Sequence, residues 1–151
     1  GMSAALFAAI RGAKVLLLER TEYVGGTTAF SAGTTWIPNS RHANSVAPGG
    51  DDPEKARGFL RRAVGERSPE ALRDAFLEAG PQAIAEIEAN SCVRYRARPL
   101  HPDYLSELEG STLRGRALEP LPFDGRQLGE RSSCSPAMPA TVSAIRVAPA
   151  W

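Results

Sequence analysis

Val15 to Pro38, VLLLERTEYVGGTTAFSAGTTWIP, carries the organising pattern of this chain. Val15, Leu16, Leu17 and Leu18 form an unbroken apolar run that ends on an acid, Glu19. Bounded by turn residues, such a run predicts a strand covered on both faces, as in a parallel sheet. A carboxylate at the carboxyl end of that strand can accept hydrogen bonds from both hydroxyls of a ribose. Gly25-Gly26-Thr27-Thr28 follows, and then a second cluster of small residues, Ser31-Ala32-Gly33. Paired glycines let backbone N–H groups approach a diphosphate with no Cβ in the way, and threonine hydroxyls can donate to its oxygens. The outline is that of nucleotide-binding chemistry.

Upstream, Gly1 to Gly12 is small and apolar, with good helix formers. Leu6, Phe7 and Ile10 fall on one helical face, and Gly12 stands where a helix-terminating glycine belongs. The order glycine, helix, turn, buried strand, acid is the second half of a βαβ dinucleotide unit. Gly1 lies 18 positions before Glu19, near the roughly 20 expected between a glycine fingerprint and its ribose-binding acid. A full fingerprint also needs a preceding strand and two earlier glycines, and the reading is of a unit whose first strand is missing.

The segment ERTEYVGGTTAFSAGTTWIPN resembles the FAD-binding signature of the fumarate reductase/succinate dehydrogenase flavoprotein superfamily. The likeness is greatest to its 3-ketosteroid Δ1-dehydrogenase-like branch, where a bulky residue, Pro and Asn follow the glycine-rich cluster. The resemblance implies FAD as cofactor, with Glu19 on the adenosine ribose. It implies that Gly26, Thr27, Thr28, Ala32 and Gly33 line the diphosphate and the flavin. Gly1, Arg20, Gly25 and Ser31 complete the expected cofactor-binding set. The fold class expected is α/β, a partial FAD/NAD(P)-binding Rossmann-like domain followed by helices leading into a substrate (cap) domain.

Further along, NSRHANSVAPGG at 39–50 reads as a loop. Asp52-Pro53 is a helix start, and Gly65 ends the amphipathic segment that it opens. Ser68-Pro69-Glu70 repeats the start signal, Gly80-Pro81 predicts a break, and a third helix is expected over 82–89. Val93 to Tyr95 reads as a short strand. The apolar stripes of these helices are core and carry no chemistry. The stretch from His101 to Arg126 is rich in proline and turns and predicts an irregular excursion, a binding loop or lid.

In the resembling branch a similar Pro-Asp-Tyr … Gly-Arg-x-Leu-Glu-Pro-Leu-Pro-Phe-Asp-Gly-Arg segment presents a tyrosine to the substrate side of the flavin, and the matching position is Tyr104. A phenol can take the acidic α-proton of a ketone or assist another tyrosine by hydrogen bonding. The alternative is a partly buried structural tyrosine whose hydroxyl caps a turn. Arg114, Arg116 and Arg126 read as surface ion pairs or loop anchors.

The 18 basic and 17 acidic residues nearly balance, which points away from nucleic acid or an anionic membrane as partner. No run approaches a spanning helix and no signal peptide is visible, so Cys92 and Cys134 are expected to be unpaired cytoplasmic thiols. Neither cysteine, nor His42 or His101, has a metal-ligand neighbour at useful spacing, and no metal site is expected. The implied partner is a small molecule, a steroid-like ketone or related enone, with oligomeric state open.

The expected organisation is a partial FAD-binding domain over 1–50, then a helical connection and the start of the substrate-side region over 51–130. Residues 131–151 form a divergent or out-of-frame tail. Three functional readings stand side by side. The first is a flavin-dependent dehydrogenase passing a hydride from a substrate carbon to flavin N5, with a fumarate reductase-like enzyme acting on an unsaturated acid as its variant. The second is an inactive remnant that binds no cofactor. The third is an NAD-binding Rossmann module, which accounts for Glu19 but not for GGTT followed by SAG.

Overall fold

The computed structural model describes residues 1–20 and 25–127. The tail at 131–151, with Cys134, lies outside the described residues. The described chain divides into two compact units: Gly1–Gly33 with Ile87–Arg94 and the segment from Pro120 onward, and Thr34–Glu86 with Tyr95–Glu119.

The first unit opens with helix α1, Met2–Ile10, which buries Ala5 and Leu6. Its end is a Schellman motif. Gly12 N–H donates to Ala9 O at 2.9 Å and Ala13 N–H to Ala8 O at 3.0 Å. Gly12 takes the left-handed φ of +83° that this closure needs. The strand expected next does not form: residues 13–19 are irregular, and Leu16 and Leu18 are each 80% exposed. A strand exists by pairing, and a parallel one also needs layers on both faces. Among the described residues no strand pairs with this run. Helix α2, Gly26–Ala29, is a single turn built on the glycine-threonine cluster.

The second unit is organised on a three-stranded sheet ordered β1-β3-β2: β1 is Thr35–Trp36, β2 is Tyr95–Ala97 and β3 is Ala117–Pro120. β1 runs antiparallel to β3, with Thr35 opposite Leu118 and Trp36 opposite Ala117. β3 was expected to be irregular, yet it is the central strand, and Ala117, Leu118 and Pro120 are buried. Ala-Leu-Glu-Pro has none of the β-branched enrichment that marks a strand; its conformation comes from having a neighbour on each side. β2 begins two residues later than the sequence suggests. Ile84, Ala97 and Leu118 form the core, with Ile37, Val46 and Tyr95 against them.

Helix α3, Pro53–Val64, begins and ends as its sequence predicts. Asp52 is the N-cap, its carboxylate accepting from Glu54 and Lys55 N–H, and Gly65 is the C-cap. Helix α4, Glu70–Asn90, corrects the expected break, because it runs for 21 residues straight through Pro81. Leu77 and Ile84 are buried on either side of the proline, and that burial outweighs the one lost ladder bond. At the far end of α4, in the first unit, the Arg94 guanidinium donates to Glu88 O and Ser91 O, each at 2.7 Å. Orphan carbonyls of the last turn are thereby satisfied.

Candidate functional site

Every expected cofactor position falls in the first unit, between Gly1 and Gly33. Gly25 and Gly26 have φ of +113° and +52°. A Cβ on Gly25 would lie 2.9 Å from Ala29 Cβ, so this turn closes only with glycine there, while a Cβ on Gly26 would meet nothing within 4 Å. Gly26, Thr27, Thr28 and Ala32 are exposed and Gly33 is half-buried. The turn therefore offers bare backbone and two free-standing threonines to a phosphate-bearing ligand. Ser31 has a different task. Its hydroxyl donates to Thr28 O at 2.9 Å and accepts from Gly33 N–H at 3.1 Å, which spends it on closing the turn. Gly1, Glu19 and Arg20 are exposed.

Tyr104 belongs to the second unit. It is 89% exposed, which does not fit a buried structural tyrosine. It borders a cavity of about 360 Å³ whose walls include Trp36 from β1, Phe59, Leu60 and Ala63 from α3, and His101 and Leu105 from the loop. The indole of Trp36 lies parallel to the Phe76 ring, with centroids 6.1 Å apart, and tilted to Phe59 at 6.0 Å. Leu105, next to Tyr104, has a φ of +58°, a conformation that is strained for a branched side chain.

Beneath this cavity lies a set of charges that the sequence did not disclose. Arg116, read as a surface ion pair or a loop anchor, is 1% exposed and bonds the loop at Asp103 and Gly110. Its Nε and Nη2 donate to the two carboxylate oxygens of Asp51 at 2.9 and 3.0 Å, and its Nη1 to Asp103 Oδ2 at 2.8 Å and Gly110 O at 2.9 Å. The guanidinium also faces the rings of Trp36 at 5.8 Å and Phe59 at 5.7 Å.

One cation between two carboxylates leaves a net negative charge, spread over further donors. Asp103 accepts from Trp36 Nε1 at 2.6 Å and Thr112 N–H at 3.0 Å. Asp51 accepts from Asn39 N–H at 3.2 Å and Asp52 N–H at 2.9 Å. The burial of Arg116 has a physical reason. A buried guanidinium is tolerated only when its fork is matched by carboxylates and carbonyls, and those come from positions far apart in the chain. Arg126 does form the surface pair expected of it, with Asp124 at 2.7 Å. The hydrogen bond from Arg126 holds the Asp124 carboxyl below the usual carboxylate range.

Residues 1–149 match the FAD binding domain family. The chain belongs to that family. It is 37% identical over 129 residues to 3-oxosteroid 1-dehydrogenase of Mycobacterium tuberculosis (strain ATCC 25618 / H37Rv), covering 85% of this chain and 23% of that protein. To 4-oxocyclohex-2-ene-1-carboxylate 5-dehydrogenase of Sinomonas cyclohexanicum it is 35% identical over 131 residues, covering 87% and 22%. Among solved structures it resembles the 3-ketosteroid Δ1-dehydrogenase of Sterolibacterium denitrificans in complex with 1,4-androstadiene-3,17-dione. That match has a TM-score of 0.83 at 33% identity and covers 89% of this chain and 24% of that one.

The chain thus spans about a quarter of the length of the relatives it matches. Its fold class is that of an α/β FAD-binding domain, its relatives are oxidoreductases, and the cofactor of the family is FAD. The Gly25–Gly33 turn fits that group, since an approach to a diphosphate needs bare backbone and free hydroxyl donors, and both are present. Among the described residues no helix is long and apolar enough to cross a membrane.

Proposed function

We propose that this chain supplies the FAD-binding part of a dehydrogenase that introduces a double bond beside a ring ketone, in the manner of 3-oxosteroid 1-dehydrogenases. The carrying observation is the cavity lined by Trp36, Phe59, Leu60 and Leu105 with the exposed phenol of Tyr104 at its edge. Flat apolar walls with few polar groups suit an alicyclic ketone. Its lining includes no lysine or arginine, which disfavours an unsaturated acid as the substrate.

FAD, when bound, supplies the hydride acceptor. Gly25, Gly26, Thr27, Thr28, Ala32 and Gly33 would hold the diphosphate and flavin, Glu19 the ribose hydroxyls, with Gly1 and Arg20 beside them. Tyr104 would take or relay the α-proton, and Trp36 would orient the ring plane. Residues 51–130 form the start of the substrate-facing region in this reading.

The test is direct. The purified chain is titrated with FAD and passed through gel filtration, with visible absorbance recorded. Retention of a flavin band, followed in a W151F variant by quenching of Trp36 emission on adding 1,4-androstadiene-3,17-dione, is the expected result. A colourless chain whose emission the steroid leaves unchanged would contradict the reading.

A further inference from the structure

The loop between β2 and β3 carries Tyr104 and is held by more than its own backbone. At its neck, His101 N–H donates to Leu113 O at 3.0 Å and Asp103 N–H to Thr112 O at 2.9 Å. The Asp103 side chain reaches back to Thr112 N–H at 3.0 Å, so residues 103 and 112 are tied twice. At the far side Gly110 sits against α3 so closely that a Cβ there would lie 2.6 Å from Lys55 O. Arg116 then bonds Asp103 and Gly110 together and anchors both to Asp51. A loop clamped at Asp103 and Gly110 by one buried guanidinium, itself anchored to Asp51, is not a lid that swings freely.

Asp103 also spans the cavity's two walls. One oxygen, Oδ1, accepts the indole N–H of Trp36 at 2.6 Å. The other, Oδ2, takes Arg116 and Thr112, on the loop side. Tyr104 is the next residue, followed at once by Leu105 in its left-handed conformation. The direction in which Tyr104 leaves the loop is thus fixed by an anchor on one side and a strained turn on the other.

We propose that Asp103 is a positioning residue: it sets the separation of Trp36 and Tyr104, and Arg116 with Asp51 holds it in place. It acts through those two side chains and is not itself a proton carrier, because both of its oxygens are engaged. The proposal rests on the reading of this cavity as the ketone site.

The test uses the full chain in a W151F background, so that Trp36 is the sole tryptophan of the two in the sequence. Binding of 1,4-androstadiene-3,17-dione is followed by Trp36 emission for D103N, Y104F and D103N/Y104F. D103N keeps the volume and an acceptor for the indole but removes the charge facing Arg116. We expect D103N to shift the Trp36 emission and weaken binding by about tenfold or more, with helical circular dichroism retained. Acting through Tyr104, it should weaken binding far less in the Y104F background, a coupling that a loss of general stability would not produce.

Additive effects, or unchanged affinity in D103N, would overturn the positioning role. If D103N does not fold, W36F removes the indole donor together with its fused ring, and hydrogen exchange of the amides at 104–112 should rise; unchanged exchange overturns the proposal. If the wild-type chain binds no steroid, the ketone-site reading fails by itself. The emission shift and the exchange then still decide whether Asp103 sets this geometry.

Discussion

Gly110 and Gly12 make a pair that separates backbone strain from close approach. Both have a left-handed φ, +89° and +83°. A Cβ on Gly12 meets nothing within 4 Å, whereas one on Gly110 would strike Lys55 O at 2.6 Å and crowd Phe59 at 3.2 Å. Gly12→Ala should therefore cost about 1–2 kcal/mol, the left-handed penalty alone. Gly110→Ala adds overpacking against helix backbone, for a total of about 2–5 kcal/mol. Urea midpoints of the two variants check this ordering, and equal losses would mean that the loop can lift away from α3. Arg116 follows a related logic. Removing it would leave Asp51 and Asp103 buried with no cation between them, which is why such arrays are hard to break and contribute little net stability when intact.

At the level of elements, α4 is where local and tertiary preferences conflict most clearly. Proline in a helix interior is about 3 kcal/mol worse than alanine, partly offset by the roughly 0.4–1 kcal/mol its rigidity takes from the unfolded state. Pro81→Ala should thus raise stability by about 2 kcal/mol, read as a higher urea midpoint at unchanged slope. A variant no more stable than the parent would mean that the helix is interrupted at Gly80 after all.

Elements fixed by local chemistry were legible in the sequence. Asp52-Pro53 and Gly65 bound α3, and Gly12 closes α1, because caps need only neighbours along the chain. Elements fixed by distant partners were not. β3 takes its conformation from β1 and β2, α4 survives Pro81 through burial of Leu77 and Ile84, and Val15–Leu18 reads as a strand but has no ladder to join among the described residues. The same division runs through the site. The GGTT turn announces itself, since its glycines answer a local backbone need. The Asp51–Arg116–Asp103 array joins positions separated by 65 and 13 residues, and no window on the sequence contains it.

For the whole molecule, the proposed cofactor residues lie in the first unit and Tyr104 in the second, and the function proposed needs both. The consequence is a variant that should damage one and spare the other. Gly25 has a φ of +113° and a Cβ there would lie 2.9 Å from Ala29 Cβ. Alanine at this position strains the backbone by about 1–3 kcal/mol and deforms the turn that presents Thr27 and Thr28. With 1.4 kcal/mol to each factor of ten, Gly25→Ala should weaken FAD binding by about tenfold, measured by titration against flavin fluorescence. In a W151F background, Trp36 emission reports on the second unit and should not change. Adding Ala29→Gly removes the clash but not the unfavourable φ, so the double variant should recover only part of the loss. Full recovery would assign the effect to the clash alone. No loss in the single variant would remove Gly25 from the cofactor site and leave Gly26, Thr27 and Thr28 to hold the diphosphate without it.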